Sequence, residues 1–546
     1  MKLNRASLAD KAGWAAAHVA LPQYDVAAVA EATKKAPTWV HFGTGNIFRA
    51  YIAALAQRML NEGLTDKGLL MANTNDPAIL DIAYTPFDNL CIAVTLNPDA
   101  TTSREIIGSI AEGIKADSSN EAAMARFKEV FTDPGLQMLS FTITEKGYKL
   151  YNPDGTLLPA VEADMKEGPH NTKNAMATLT KFLYWRYQAG GYPLAVCSFD
   201  NCSHNGETFH NSVAEIAETW CKNGLVEQGF VDWLNDESKV SFPWSMIDKI
   251  VPRPSKVVEE SLTADGIEGM EAIVTKKGGY TAAFVNAERP QYLVIEDKFP
   301  NGRPPLDKVG VMFCDRETVN KVERMKVTTC LNPLHTAMSV NGCLLGYTKI
   351  ADEMKDADIV ALVKRLGYVE GLPVVTDPGI IKPKDFLDEV VEQRLPNVFM
   401  PDDPRRIATD TSQKVGVRFG ETIKSYLAQG RDLNSLVSVP LALAGWMRYL
   451  LGINDEGQEM EVSDDPLKET LQAQLQGIVW NDPASYHGQL RPILSNASIF
   501  GVDLTTTPLA EKIEKIFVEE LAGPGAVRAT LKKYLDRKST RLNSSH

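Results

Sequence analysis

A strand that runs into two glycines and reopens as a helix constrains this chain more than any other feature. Thr38-Trp-Val-His-Phe42 is aromatic and β-branched, and Gly43-Thr-Gly45 follows it directly. Helical spacing then runs from Ile47 to Leu60, with Leu55, Met59 and Leu60 on one face. A second strand at Gly68–Ala72 closes a β–turn–α–β unit of about 35 residues, long enough for the crossover that a parallel strand pair requires.

The same alternation continues. Strands are expected at Leu90–Leu96, Gln137–Thr142 and Leu194–Phe199, and helices at Glu121–Val130 and Asn174–Gln188. Strands alternating with helices imply a parallel sheet covered on both faces. From about Gly310 the pattern changes to long helices, at Ile359–Leu366, Lys384–Arg394, Gln413–Gln429 and Leu433–Leu451. The turn-rich Glu296–Pro305 makes a natural boundary. The expected fold is α/β, a Rossmann-like doubly wound sheet domain followed by a mostly α-helical substrate domain. The expected divisions are an N-terminal helical extension over 1–36, the dinucleotide-binding domain over 37–300 and the helical domain over 301–536. Residues 537–546 (RKSTRLNSSH) have one apolar residue and no periodicity, and they read as a non-native tail.

Composition narrows the function. With 44% apolar and 23% charged residues, the 546-residue chain is ordinary globular material. A net charge of −13 argues against nucleic acid, whose backbone demands clustered Lys and Arg. Seven cysteines, an odd number, suit reduced thiols better than a disulfide framework. The start lacks the apolar run of a signal peptide, and the most apolar stretch, Leu436–Met447, is too short to span a bilayer and contains Pro440. A cytoplasmic protein without nucleic-acid or membrane partners is expected, as a monomer or small homo-oligomer.

The glycine turn carries the first chemistry. A glycine loop after a strand and before a helix lets a pyrophosphate approach the backbone and meet the helix N-terminus. The pattern here is G-x-G-x-x-F, without the third glycine of the usual fingerprint, and a tight turn alone would also explain two glycines. Gly43, Gly45, Asn46, Phe48 and Arg49 are the candidate cofactor residues. Asp76, late after the second strand, is the candidate for the ribose hydroxyls, or else a cap for the next helix. NAD is expected, with NADP open.

The second chemistry lies in Met325-Lys326-Val-Thr-Thr-Cys-Leu-Asn332-Pro-Leu-His335. Asn332 and His335 are three apart and share a helix face. A lysine in a dry cleft can serve as a general base, with an amide and an imidazole holding a substrate oxygen beside it. The bland alternative is a solvated lysine, a capping Asn and a core His, with Pro333 in the first helical turn. Cys197, Cys202 and His204 offer metal donors, but the spacing is wrong for zinc and core packing is the better reading. No metal is expected.

This segment resembles the active-site motif of the polyol-specific long-chain dehydrogenases, the mannitol dehydrogenase family. Other blocks agree in order from Trp39 to Leu450: Gly43–Arg49, Thr142–Tyr148, Asp200-Asn201 with Asn205-Gly206, Phe242–Pro252, Val294–Pro300 and Arg406–Lys414. The resemblance implies an NAD(P)-dependent oxidoreductase of an open-chain sugar derivative. It implies Lys326 as general acid/base, Asn201 and Asn332 as an oxyanion hole, and His335 orienting the substrate. It further implies Asp248, Arg406 and Lys414 at the substrate. The cationic pair Arg406 and Lys414 favours a sugar acid, with D-fructuronate and D-mannonate the expected couple. Tagaturonate or mannitol is the alternative, and a non-catalytic dinucleotide sensor is an alternative of another class.

One departure bears on the chemistry. The family spacing is K-x4-N-x2-H, whereas five residues separate Lys326 from Asn332. On an ideal helix the extra residue turns Lys326 by about 100° from the Asn/His face. A π-bulge would absorb it, and Pro333, lacking a backbone donor, eases such irregularity.

Overall fold

The computed structural model describes residues 1–536. The expected non-native tail, 537–546, lies outside the described residues. The chain divides into two compact units. One is Met1–Asn97 with Thr101–Asn320, and the other runs from Lys321 onward with Pro98–Ala100.

The first unit is built on six parallel strands: β1 (Trp39–Phe42), β2 (Leu69–Asn73), β3 (Ile110–Lys115), β4 (Met138–Phe141), β5 (Leu194–Ser198) and β6 (Val240–Ser241). Their spatial order is 3-2-1-4-5-6. That is the doubly wound order, whose direction reverses between β1 and β4. Side chains of β1 alternate between two cores: Val40 and Phe42 enter one, Trp39 the other. In the first core Phe42 stacks on Phe141 at 4.4 Å and Phe127 on Phe182 at 4.6 Å. These rings fix helices α1 (Glu121–Thr132) and α2 (Ala175–Gln188) to the sheet, and truncating one to Ala would cost about 3–5 kcal/mol.

Three expectations are corrected here. Cys91–Leu96 is a strand, but it lies outside the parallel sheet, pairing antiparallel with Thr102–Ile107 and parallel with Phe284–Glu288. The N-terminal 36 residues do form short helices, Lys11–Ala16 and Val26–Lys35, yet Val19–Ala20 joins that smaller sheet and the segment belongs to the first unit. The division falls after Asn320 instead of at 300. Met312–Cys314 pairs with Tyr292–Glu296, which pairs with Ser245–Asp248, so the chain is carried past the turn-rich stretch before it leaves.

The second unit is helical. Helix α4 (Ser438–Tyr449) is buried along its whole length and packs against α3 (Asn332–Leu344) and α5 (Leu509–Glu520). A helix covered on every side forms the unit's centre. Its N-terminus is closed by Glu370, whose buried carboxylate accepts the N–H groups of Val437, Ser438 and Val439 at 2.8, 2.7 and 3.0 Å and pairs with Arg365 at 3.1 Å.

The long helices expected here are interrupted. Arg365–Gly371, Val390–Arg394 and Gly416–Gly420 are π-helical, each adjoining an α-helix, as are Phe48–Ile52 after the glycine turn and Lys326–Cys330 before α3. π segments account for well under 1% of residues in globular proteins and collect at functional sites.

Candidate active site

At the carboxyl end of β1 the two glycines differ in role. Gly43 has φ +130°, and a Cβ there would stand 2.5 Å from the Thr142 carbonyl oxygen, so only glycine fits beside β4. A Cβ on exposed Gly45 would meet nothing within 4 Å. Gly45 therefore leaves space beside a helix start whose first N–H groups have no intrahelical acceptor. Thr44 is held by Asn73, whose amide donates to its Oγ1 at 2.7 Å, and by Tyr84, whose hydroxyl donates to its carbonyl at 2.8 Å. The loop is thus rigid before any ligand arrives, and its residues fit a pyrophosphate.

Three candidate cofactor residues, Phe48, Arg49 and Asp76, have side chains engaged within the protein. Phe48 is buried and stacks on His41 at 4.3 Å. Arg49 is fully buried; it donates to the Ala282 carbonyl at 2.6 Å, to Thr281 Oγ1 at 3.2 Å and to Asn46 Oδ1 at 3.0 Å, so it braces Asn46 from inside. Asp76 accepts from Thr275 Oγ1 at 2.5 Å and from the Ala78 N–H at 3.3 Å, the helix-start role that was its alternative.

Ile47, Thr144, Glu145, Phe199, Asp200, Asn201, Asp248 and Lys249 line a cleft of about 340 Å³ in the same unit. The cleft brings together the expected oxyanion-hole residue Asn201 and the expected substrate residue Asp248, beside the glycine-turn helix. Asp200 builds its wall: the carboxylate accepts the N–H groups of Ile143 and Thr144, both at 2.9 Å, and the Tyr148 hydroxyl at 2.6 Å. Asn205 ties that wall to the next block. Its amide donates to the Ser198 and Asp200 carbonyls, and its Oδ1 accepts from the Ser245 N–H at 3.0 Å. The blocks Thr142–Tyr148, Asp200–Gly206 and Phe242–Pro252 are thus one hydrogen-bonded assembly, a function the sequence did not assign to Asp200 or Asn205.

In the second unit Lys326 opens the π-helix Lys326–Cys330 and is 3% exposed. The Leu331 N–H donates to the Lys326 carbonyl at 3.1 Å, a five-residue step, and the α-pattern resumes with the His335 N–H donating to Leu331 at 3.1 Å. The extra residue is absorbed where the altered spacing required it. Asn332 stands partly exposed at the start of α3, and its amide makes no hydrogen bond among the described residues. His335 lies one turn on, 3.9 Å from Asp402. Burial lowers its pKa to about 4, against Asp402 and with Arg418, Arg406 and Arg394, so the imidazole is neutral at neutral pH.

Arg406 is exposed and paired with Asp402. Lys414 donates to the carbonyls of Ile407, at 3.3 Å, and Thr409, and its pKa is lowered by burial and by Arg418. Arg418, which the sequence reading passed over, donates to Thr336 on α3. Among the described residues no group of three or more His, Cys, Asp or Glu could hold a metal ion, and all seven cysteines are free.

Strand order, a rigid glycine turn and a buried lysine on a π-turn define an NAD-type dehydrogenase with a helical second unit. The family patterns agree: the mannitol dehydrogenase Rossmann domain matches residues 37–308 and the mannitol dehydrogenase C-terminal domain matches 318–519. The chain belongs to the mannitol dehydrogenase family. It is 51% identical to the D-mannonate oxidoreductase of Thermotoga maritima over 98% of this chain and 99% of that one. It is 29% identical to a mannitol 2-dehydrogenase of Phaeosphaeria nodorum, over 91% and 81%. Among solved structures it resembles the Pseudomonas fluorescens mannitol 2-dehydrogenase, a ternary complex with NAD and D-mannitol. That match has a TM-score of 0.69 and 26% identity, covering 98% of this chain and all of that one. A D-sorbitol dehydrogenase shares the fold, with a TM-score of 0.75 and 24% identity, covering 94% and 97%. No helix among the described residues is long and apolar enough to cross a membrane.

Proposed function

We propose that this protein is an NAD-dependent oxidoreductase that interconverts D-fructuronate and D-mannonate. The observation that carries the reading is the full-length similarity to a D-mannonate oxidoreductase in a chain whose Lys326 π-turn restores the family's catalytic register. When bound, NADH supplies the hydride that reaches the keto carbon. Lys326, as ammonium, donates the proton to the keto oxygen in reduction; as amine, it takes the hydroxyl proton in oxidation. Asn332 and Asn201 donate amide N–H groups to the oxygen as its negative charge develops. Neutral His335 orients the substrate by a hydrogen bond without adding charge, and Asp248 accepts from substrate hydroxyls. Gly43 and Gly45 shape the pyrophosphate turn, and Asn46, braced by Arg49, opens its helix.

The test is NADH oxidation with D-fructuronate, D-tagaturonate and D-fructose in parallel, repeated with NADPH. Preference for D-fructuronate with NADH is expected. Preference for fructose would make this a polyol dehydrogenase. Tight NADH binding without turnover on any of them would make it a sensor.

A further inference from the structure

Arg418 stands apart from Arg406 and Lys414. Arg406 has Asp402 as its counter-ion, and Lys414 is satisfied by two backbone carbonyls. Arg418 is half-buried, it donates to the neutral hydroxyl of Thr336, and among the described residues no carboxylate pairs with it. Burial pulls its pKa down to about 10 with no compensating acid. A guanidinium taken from water without an anion is costly, and five fixed donors exceed what one hydroxyl can use.

Its placement says which anion it serves. Arg418 lies on the π-helix Gly416–Gly420, which packs against both the Lys326 π-helix and α3. Gly420 permits that position, because a Cβ there would stand 1.9 Å from the Phe500 carbonyl oxygen. Thr336, its partner, is four residues after Asn332 and so on the same face of α3. One helical turn advances about 5.4 Å. In D-fructuronate four bonds separate the keto carbon from the carboxylate carbon, about 5 Å of extended chain. Arg418 also acts electrostatically on both Lys414 and His335.

We infer that Arg418 is the residue that receives the substrate's carboxylate, one helical turn from the amide of Asn332 that holds the reacting oxygen, and that it sets the preference for sugar acids over neutral ketoses. The inference rests on the keto-uronate reading above. Lys414 adds positive potential beside the site, and Arg406 remains committed to Asp402.

The experiment compares kcat/KM for D-fructuronate with that for D-fructose in the wild type, Arg418→Met and Arg418→Lys. Loss of a charge-assisted, two-pronged contact should lower the fructuronate-to-fructose ratio about 30-fold or more in Arg418→Met. Arg418→Lys keeps the charge without the fork and should lower the ratio by a smaller factor, about threefold to tenfold. An unchanged ratio in Arg418→Met, with both substrates losing equally, would overturn the inference and leave Arg418 as a prop for Thr336. Should Arg418→Met fail to fold, the Arg418→Lys ratio decides by the same criterion. A wild type that reduces fructose but not fructuronate would instead refute the functional reading, before any variant is made.

Discussion

Gly43 and Gly45 are glycines for opposite reasons, and substitution separates them. Gly43→Ala forces a Cβ against the Thr142 carbonyl oxygen at φ +130°, so it should destabilise the first unit by about 1–3 kcal/mol, seen as a lowered Tm. Gly45→Val meets no protein atom at its Cβ, so its Tm should stay close to that of the wild type while the Kd for NADH rises tenfold or more, by about 1.4 kcal/mol. Equal NADH affinity in Gly45→Val would remove the loop from the cofactor site. Both glycines were legible in the sequence, because strand, turn and helix abut there. For Phe48 and Arg49 the motif's spacing cannot tell an outward side chain from a buried one, and the partners of Arg49, Thr281 and Ala282, lie more than two hundred residues away. Arg418 carried only a faint signal, its four-residue spacing from Lys414, and its missing counter-ion is visible only in three dimensions.

At the scale of elements, the π-turn at Lys326 makes the sharpest prediction. Deleting Val327, the residue of that turn that is not buried, restores the family spacing and should convert the turn to regular α-helix. The deleted enzyme should keep turnover within about tenfold of wild type, because Lys326 stays on the Asn332 face. A folded deletion variant that is inactive would contradict the idea that the bulge only absorbs one residue. This irregularity was legible because the motif fixed the expected count. The π segments at Arg365, Val390 and Gly416 were not, since apolar periodicity averages over one extra residue and the pattern still reads as a continuous helix. Cys91–Leu96 shows the same limit for strands. Its β-rich composition marked it as a strand, but its partners, Thr102–Ile107 and Phe284–Glu288, were set by tertiary packing.

At the scale of the whole molecule, two histidines kept neutral by desolvation couple stability to pH. His41, fully buried and hydrogen-bonded to Ser140 Oγ at 2.7 Å and Thr142 Oγ1 at 2.9 Å, has its pKa lowered by burial to about 3. That of His335 is lowered to about 4. The unfolded chain takes up these protons near pH 6.5, where the folded protein does not, so stability is present above that pH and lost as pH falls from about 6.5 toward 4. Each group should contribute a loss of about 2 kcal/mol between pH 7.5 and 5, read as a falling urea midpoint. His335→Gln should remove roughly half of that slope, and an unchanged slope would mean that His335 is protonated in the folded state.

The central claim is that Lys326 moves the proton in an NADH-dependent reduction of a keto-uronate. The most direct test is single-turnover NADH oxidation with D-fructuronate by wild type and Lys326→Met, with NADH binding measured on both. The account predicts unaltered NADH binding and a chemical step slowed by about 10²–10⁴-fold, the usual contribution of a general acid. A Lys326→Met enzyme that reduces D-fructuronate at the wild-type rate would contradict it.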